Sequence, residues 1–177
     1  MARTATANTG PAARVTRTVR KPFPARTLHL VDIENLAGTG LPAEPEVALI
    51  WRAYAARVGI GAMDQVIIGC NHKALPSAGF GWPQARYLVR SGPNGADTEL
   101  LAVISGENVA ARFDHVVIAS GDGAFTSAAA ALRSVGPKVT VVSRRIGLAR
   151  TLRLAAQNVI YLDAPTAGAA APRPDAA

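Results

Sequence analysis

Three aspartates in this chain carry the residues around them that metal-assisted chemistry needs. Asp32 lies in Val31-Asp32-Ile33-Glu34-Asn35, at the end of an apolar run. Asp97 lies in Gly95-Ala96-Asp97-Thr98-Glu99, where a helical pattern begins, and Asp122 in Ser120-Gly121-Asp122-Gly123, after another apolar run. Carboxylates gathered in one place repel unless a cation or a proton relieves them. Hard oxygen ligands select Mg²⁺ or Mn²⁺ over thiophilic metals. Such a site can deprotonate a water and stabilise the leaving oxygen of a phosphodiester. The expectation from the residues alone is therefore metal-assisted phosphodiester hydrolysis. Each acid also has a plainer use: Asp32 and Asp97 as helix caps, Asp122 as a turn residue between two glycines.

The elements that must position these acids follow from the apolar runs. Thr27–Asp32, Gln65–Cys70, Ala85–Val89, His115–Ser120, Lys138–Ser143 and Asn158–Leu162 are rich in Val, Ile, Leu and Tyr and mostly continuous. That pattern predicts strands buried on both faces of a parallel sheet. Val47, Ile50, Trp51, Tyr54 and Val58 recur at helical spacing, and Leu100, Phe125 and Leu148 begin three further helical patterns. Strands alternating with helices imply an α/β three-layer αβα sandwich with a mostly parallel sheet of five to six strands. The link carrying Pro76 and Pro83 reads as loop. With strand order 3-2-1-4-5, Asp32 and Asp122 face one cleft at the carboxyl edge, where open α/β sheets bind ligands.

Charge divides the 177 residues unevenly. The chain has 19 Lys+Arg and 12 Asp+Glu, a net charge of +7. Residues 1–26 hold six basic residues and no acid, residues 27–163 twelve basic and eleven acidic, and residues 164–177 one of each. The expected organisation is a flexible basic arm at 1–26, one domain at 27–163 and an Ala/Pro tail at 164–177. One cysteine, Cys70, excludes a disulfide framework, and there is no Cys/His spacing for structural zinc. No run is long and apolar enough for a membrane span, and the N-terminus lacks the apolar stretch of a secretory signal. An Arg-rich, acid-free start also fits a transit peptide. The Ala/Gly/Pro/Arg bias points instead to a bacterial, cytoplasmic protein.

At Asp32-x-x-Asn35, Gly95-Ala96-Asp97, Ser120-Gly121-Asp122-Gly123-x-Phe125 and Gly136-x-x-Val139-x-Val141 the chain resembles the NYN domain family of the PIN-like nuclease superfamily, over about residues 27–163. The resemblance implies a PIN-like fold, a Mg²⁺ or Mn²⁺ site and endoribonuclease activity. Asp32, Asp97 and Asp122 would be metal ligands, Asn35 would orient a carboxylate or water, and Ser120 would support the Asp122 loop at the substrate. One position departs: the family often has SGDxDF, and here the second acid is Ala124. Glu34 or Glu99 stands nearby in sequence to substitute for it. A binding or regulatory module with weakened catalysis is the alternative that Ala124 raises.

Candidate RNA contacts are Lys73, Arg86, Arg90, Arg144 and Arg145, with solvated surface charge as the plainer reading of each. Trp82 and Tyr87 are candidates for base stacking, Tyr87 more simply as core. His29 and His115 read as core or edge residues, and His72 stands at a strand end. The expected partners are RNA and, at most, a second copy in a homodimer, with no membrane. A nucleotide-binding protein would want a glycine-rich phosphate loop, which is absent. An aspartyl-phosphate phosphatase would want Asp-x-Asp where Asp32-Ile33-Glu34 stands.

Overall fold

Six apolar runs become six parallel strands: β1 Thr27–Asp32, β2 Gln65–Cys70, β3 Arg86–Val89, β4 His115–Ala119, β5 Lys138–Ser143 and β6 Asn158–Tyr161. The structure is a computed structural model and describes residues 25–162. Most of the basic arm and all of the Ala/Pro tail lie outside the described residues. The sheet order is β3-β2-β1-β4-β5-β6. This is the expected 3-2-1-4-5 arrangement with β6 added beyond β5, and β1 and β4 are neighbours at the switch point.

Continuous apolar strands arise because both faces are covered. Val31, Val117 and Ala119 face one core layer, while Leu28, Leu30, Val116 and Ile118 face the other. Each large aliphatic side chain so enclosed contributes about 1.5–3 kcal/mol relative to exposure. The first layer is closed by α2 (Glu44–Val58), whose Val47, Ile50 and Tyr54 are buried at helical spacing, and by α3 (Leu75–Gly81). The second is closed by α4 (Gly95–Gly106), α5 (Val109–Arg112), α6 (Thr126–Val135) and α7 (Arg150–Ala155). The short α1 (Ile33–Ala37) follows β1 directly.

The β2–β3 link is a helix where a loop was expected. Pro76 sits in the first turn of α3, where a missing N–H costs nothing. Gly81 is chosen by proximity: a Cβ there would lie 2.7 Å from the Val47 side chain. Contact with α2 thus outweighs weak helix propensity. Trp82, a candidate base-stacker, is instead 1% exposed. Its ring centroid lies 5.2 Å from Trp51 and 5.1 Å from Tyr54. Tyr87 is half-buried and donates its hydroxyl to the Trp82 carbonyl.

His29 and His115 are held as expected of core and edge residues. His29 Nδ1 is 2.7 Å from the Tyr54 hydroxyl, and His115 Nε2 is 2.9 Å from Thr140 Oγ1. The arm's last arginine belongs to the body. Arg26 N donates to Asp114, its carbonyl accepts from the Asp114 N–H, and its guanidinium lies 5.2 Å from the Phe113 ring centre.

Candidate functional site

β1 and β4 pair through Val31 and Ala119, and one residue further on each strand stand Asp32 and Ser120. Asp32 ends β1 and caps α1, its Oδ1 accepting the Asn35 N–H at 3.0 Å. Its Oδ2 accepts the Ser120 hydroxyl at 3.2 Å. Ser120 Oγ in turn accepts the Asp122 N–H at 3.2 Å. Ser120 is fully buried. It therefore links two acids, and its expected place among the substrate contacts is not where the fold puts it.

Asn35 closes the same edge. Its side-chain oxygen accepts the Gly121 N–H at 2.8 Å, and its carbonyl accepts Arg144 Nε at 3.0 Å. Gly121 has no room for a side chain, since a Cβ would lie 2.1 Å from the Gly147 carbonyl oxygen. Ala149 N donates to the Gly121 carbonyl at 2.8 Å. The turns after β1, β4 and β5 are thus bonded to one another.

Asp97 arrives from the other side. α4 starts at Gly95 with Asn94 as its cap, so Asp97 sits in the first turn and does not take the plainer role of N-cap. Gly95 is required by contact, because a Cβ would lie 2.3 Å from the Arg90 carbonyl oxygen. This seats Asp97 at 6% exposure, facing a cleft of about 180 Å³ lined also by Asp32, Glu34, Asn35 and Arg90. Asp97 Oδ1 is buried and has no hydrogen-bond partner. Native interiors rarely leave such an atom unpaired.

Burial lifts the Asp32 carboxyl from an ordinary 3.8 to about 7, against the Asn35 N–H, and the Asp97 charge adds to the rise. Burial also raises Asp97, with Asp122 and Glu34 contributing negative potential. Two acids in one wall do not both ionise freely without a counter-charge.

Asp122 stands beside this cleft and does not line it. Its Oδ1 accepts the Ala124 N–H at 2.8 Å, so it caps the single 3-10 turn Gly123–Phe125. Among the described residues, no three His, Cys, Asp or Glu side chains form a ready metal-binding group. The donors nevertheless fit a hard cation: oxygen only, with one buried carboxylate oxygen unpaired. Mg²⁺ in particular is held by one or two carboxylates and keeps its waters.

Of the two substitute acids, Glu34 lines the cleft, its Oε1 fixed by the Asn71 N–H at 2.5 Å. Glu99 instead pairs with Arg90 at 3.3 Å. Arg90 is also on the cleft wall. Lys73 is exposed beyond Asn71 and outside the cleft lining. Arg86 pairs with Glu107 at 2.5 Å. Arg144 is spent on Asn35, with its guanidinium against Gly38. Arg145 lies 4.6 Å from the Tyr161 ring centre. His72 contacts Ser91 at 2.8 Å, outside the cleft lining. Burial pushes the Cys70 thiol up to about 11, which leaves it a poor nucleophile.

Sequence reasoning gave Asn71 no role, and Gly121 none beyond its place in the Ser120-Gly121-Asp122-Gly123 motif. Asn71 also takes the Lys73 and Ala74 N–H groups on its side-chain oxygen. That Asx turn after β2 was the signal available for it.

A family model described as the NYN domain matches residues 29–163. No curated protein matches the chain. Among solved structures, the chain is similar to a protein of unknown function from Vibrio parahaemolyticus, with 19% identity and a TM-score of 0.49, covering 82% of this chain and 97% of that one.

Proposed function

Because the chain belongs to the NYN domain family, within the PIN-like nucleases, we propose that it is a metal-dependent endoribonuclease that hydrolyses RNA phosphodiester bonds at the carboxyl edge of its sheet. The family carries the coarse reading, a nuclease-like domain that acts on RNA. The observation that supports the finer one is the unpaired, buried Asp97 Oδ1 in the same cleft as Asp32, whose carboxyl burial lifts to about 7.

Asp32 and Asp97 would hold the ion, with Asp122 and Glu34 adding negative potential. When bound, Mg²⁺ or Mn²⁺ supplies a water of lowered pKa and charge neutralisation at the phosphodiester. The remaining work belongs to the chain. Ser120 and Asn35 fix Asp32 and the Asp122 turn in one arrangement. Preorganisation of this kind spares reorganisation at the moment of reaction. Arg90 on the cleft wall meets a substrate phosphate. No helix among the described residues is long and apolar enough to cross a membrane.

Labelled RNA incubated with Mg²⁺ or Mn²⁺, with and without EDTA, tests the reading. Cleavage is expected in the metal arms only, with Asp97→Asn and Asp122→Asn both inactive and folded. Equal cleavage by wild type and Asp97→Asn, or cleavage that survives EDTA, sinks it.

A second reading is favoured by Ala124, which is exposed where the family often has an acid, together with the lack of a ready metal trio among the described residues. In it the domain binds RNA without turnover. Salt-sensitive RNA binding, with no cleavage at any metal concentration, selects this reading over the first.

A further inference from the structure

Beyond the acid cleft, the carboxyl edge carries a second concavity of about 320 Å³, lined by Arg145, Leu148, Arg150, Arg153, Leu154 and Tyr161. We propose that it is a separate subsite for the single-stranded RNA that leaves the cleft, with Arg150 and Arg153 on its phosphates. The proposal rests on the ribonuclease reading for the identity of the ligand.

Charge is the first argument. Two exposed arginines, Arg150 and Arg153, line one small pocket beside Arg145, and no acid among the described residues lines it. The arginine–carboxylate pairs among the described residues use Arg86, Arg90 and Arg112. Arg150 and Arg153 are exposed and take part in none. The like charges of Arg150 and Arg153, side by side on α7, favour an anion between them.

Shape is the second. Leu148 and Leu154 give the pocket an apolar part. The Arg145 guanidinium lies over the Tyr161 ring at 4.6 Å. Cations beside an aromatic and apolar surface match a nucleotide, whose phosphate is anionic and whose base stacks on rings or guanidinium planes.

Position is the third. The segment from Arg144 to Ala149 joins β5 to α7 and carries one side of the pocket. It is bonded at both ends to the acid site, through Arg144 Nε on the Asn35 carbonyl and Ala149 N on the Gly121 carbonyl. Tyr161 ends β6, at the same sheet edge where Asp32 ends β1. A strand that crosses this edge from β1 towards β6 passes from the cleft to the arginines.

The test uses the full chain and fluorescence anisotropy with a single-stranded RNA of about twelve nucleotides, in EDTA, over a salt series. Arg150→Gln/Arg153→Gln is compared with wild type and with Arg52→Gln, an exposed arginine on α2 across the sheet. The double variant is expected to bind about tenfold or more weakly at low salt. Its slope of log affinity against log salt should fall by about 1.4, from roughly 0.7 per phosphate contact. Arg52→Gln should match wild type, and metal-dependent turnover of a short oligonucleotide should be unchanged in all three. Wild-type affinity and slope in the double variant overturn the subsite, as does an equal loss in Arg52→Gln. Because binding is read in EDTA, the two readings separate. Arginine-dependent binding without any cleavage keeps the subsite and sinks the nuclease. Cleavage with arginine-independent binding does the reverse.

Discussion

Asn35 Oδ1 accepts the Gly121 N–H at 2.8 Å across 86 residues of chain. This bond ties the turn after β1 to the turn that carries Asp122. It also assigns Asn35 a different immediate task from holding a water: its amide oxygen is occupied by backbone.

Asn35→Ala should therefore loosen the Asp122 turn without touching Asp32 directly. A buried N–H left without its acceptor costs about 1–3 kcal/mol. Urea unfolding should show a loss of that order, and RNA cleavage should fall by about a hundredfold or more, since small displacements of catalytic groups are costly. Gly121→Ala, which drives a methyl into the Gly147 carbonyl, should do at least as much. Full activity in Asn35→Ala would show that the bond positions nothing.

The buried acid predicts an unusual pH dependence. In the unfolded chain Asp32 ionises near pH 4, and in the fold it keeps its proton to about 7. Between those values the folded state binds more protons, so this group's contribution makes stability fall as pH rises. A rise from 3.8 to about 7, at about 1.4 kcal/mol per pH unit, sets the full effect at roughly 4 kcal/mol. His29 and His115 work oppositely. Burial lowers both, so the unfolded chain binds more protons below pH 6.5, and their part of the stability grows towards that pH. Asp32→Asn removes the first slope and keeps the second. In metal-free buffer at pH 8 the variant should be more stable than wild type, and Mn²⁺ should narrow the gap by stabilising wild type alone. Parallel unfolding curves for the two proteins from pH 5 to 8 would rule out Asp32 as the proton holder.

Much of this arrangement was readable from residue order. Continuous Val/Ile/Leu runs exist because both sheet faces are covered, and the carboxyl-edge rule then placed Asp32 and the Asp122 turn on adjacent strands. What escaped was set by contacts between distant segments. Pro76 and Gly81 look like loop residues until α2 is present to receive them. Trp82 looks like a surface ring until Trp51 and Tyr54 enclose it. Asp97 looks like a cap because the helix start depends on Gly95 fitting against the Arg90 carbonyl. The unpaired state of its oxygen is a property of the assembled interior, which no spacing reports.

Ala124 offers a gain-of-function test. It is exposed, and its N–H is already held by Asp122 Oδ1. An acid there meets no steric barrier and adds negative potential beside Asp122. Ala124→Asp should raise Mn²⁺ affinity, read by titration calorimetry, and raise cleavage at limiting metal. An unchanged metal affinity would show that the cleft of Asp32 and Asp97 works independently of this position.

The basic arm gives the last prediction, with a boundary that the fold moves. Arg26 is built into the body through Asp114 and Phe113, so a deletion meant to spare the domain must stop before it. Removing residues 1–24 takes away five basic residues and no acid. The acid cleft loses none of its lining residues. RNA affinity should fall at low salt and converge with that of the full chain at high salt, as expected of phosphate contacts that release counterions. Turnover at saturating RNA should be unchanged, because a cationic arm raises local substrate concentration and leaves the reacting groups alone. Cleavage rates measured at saturation for both lengths check this. A lost maximal rate with an intact thermal transition would place part of the chemistry in the arm.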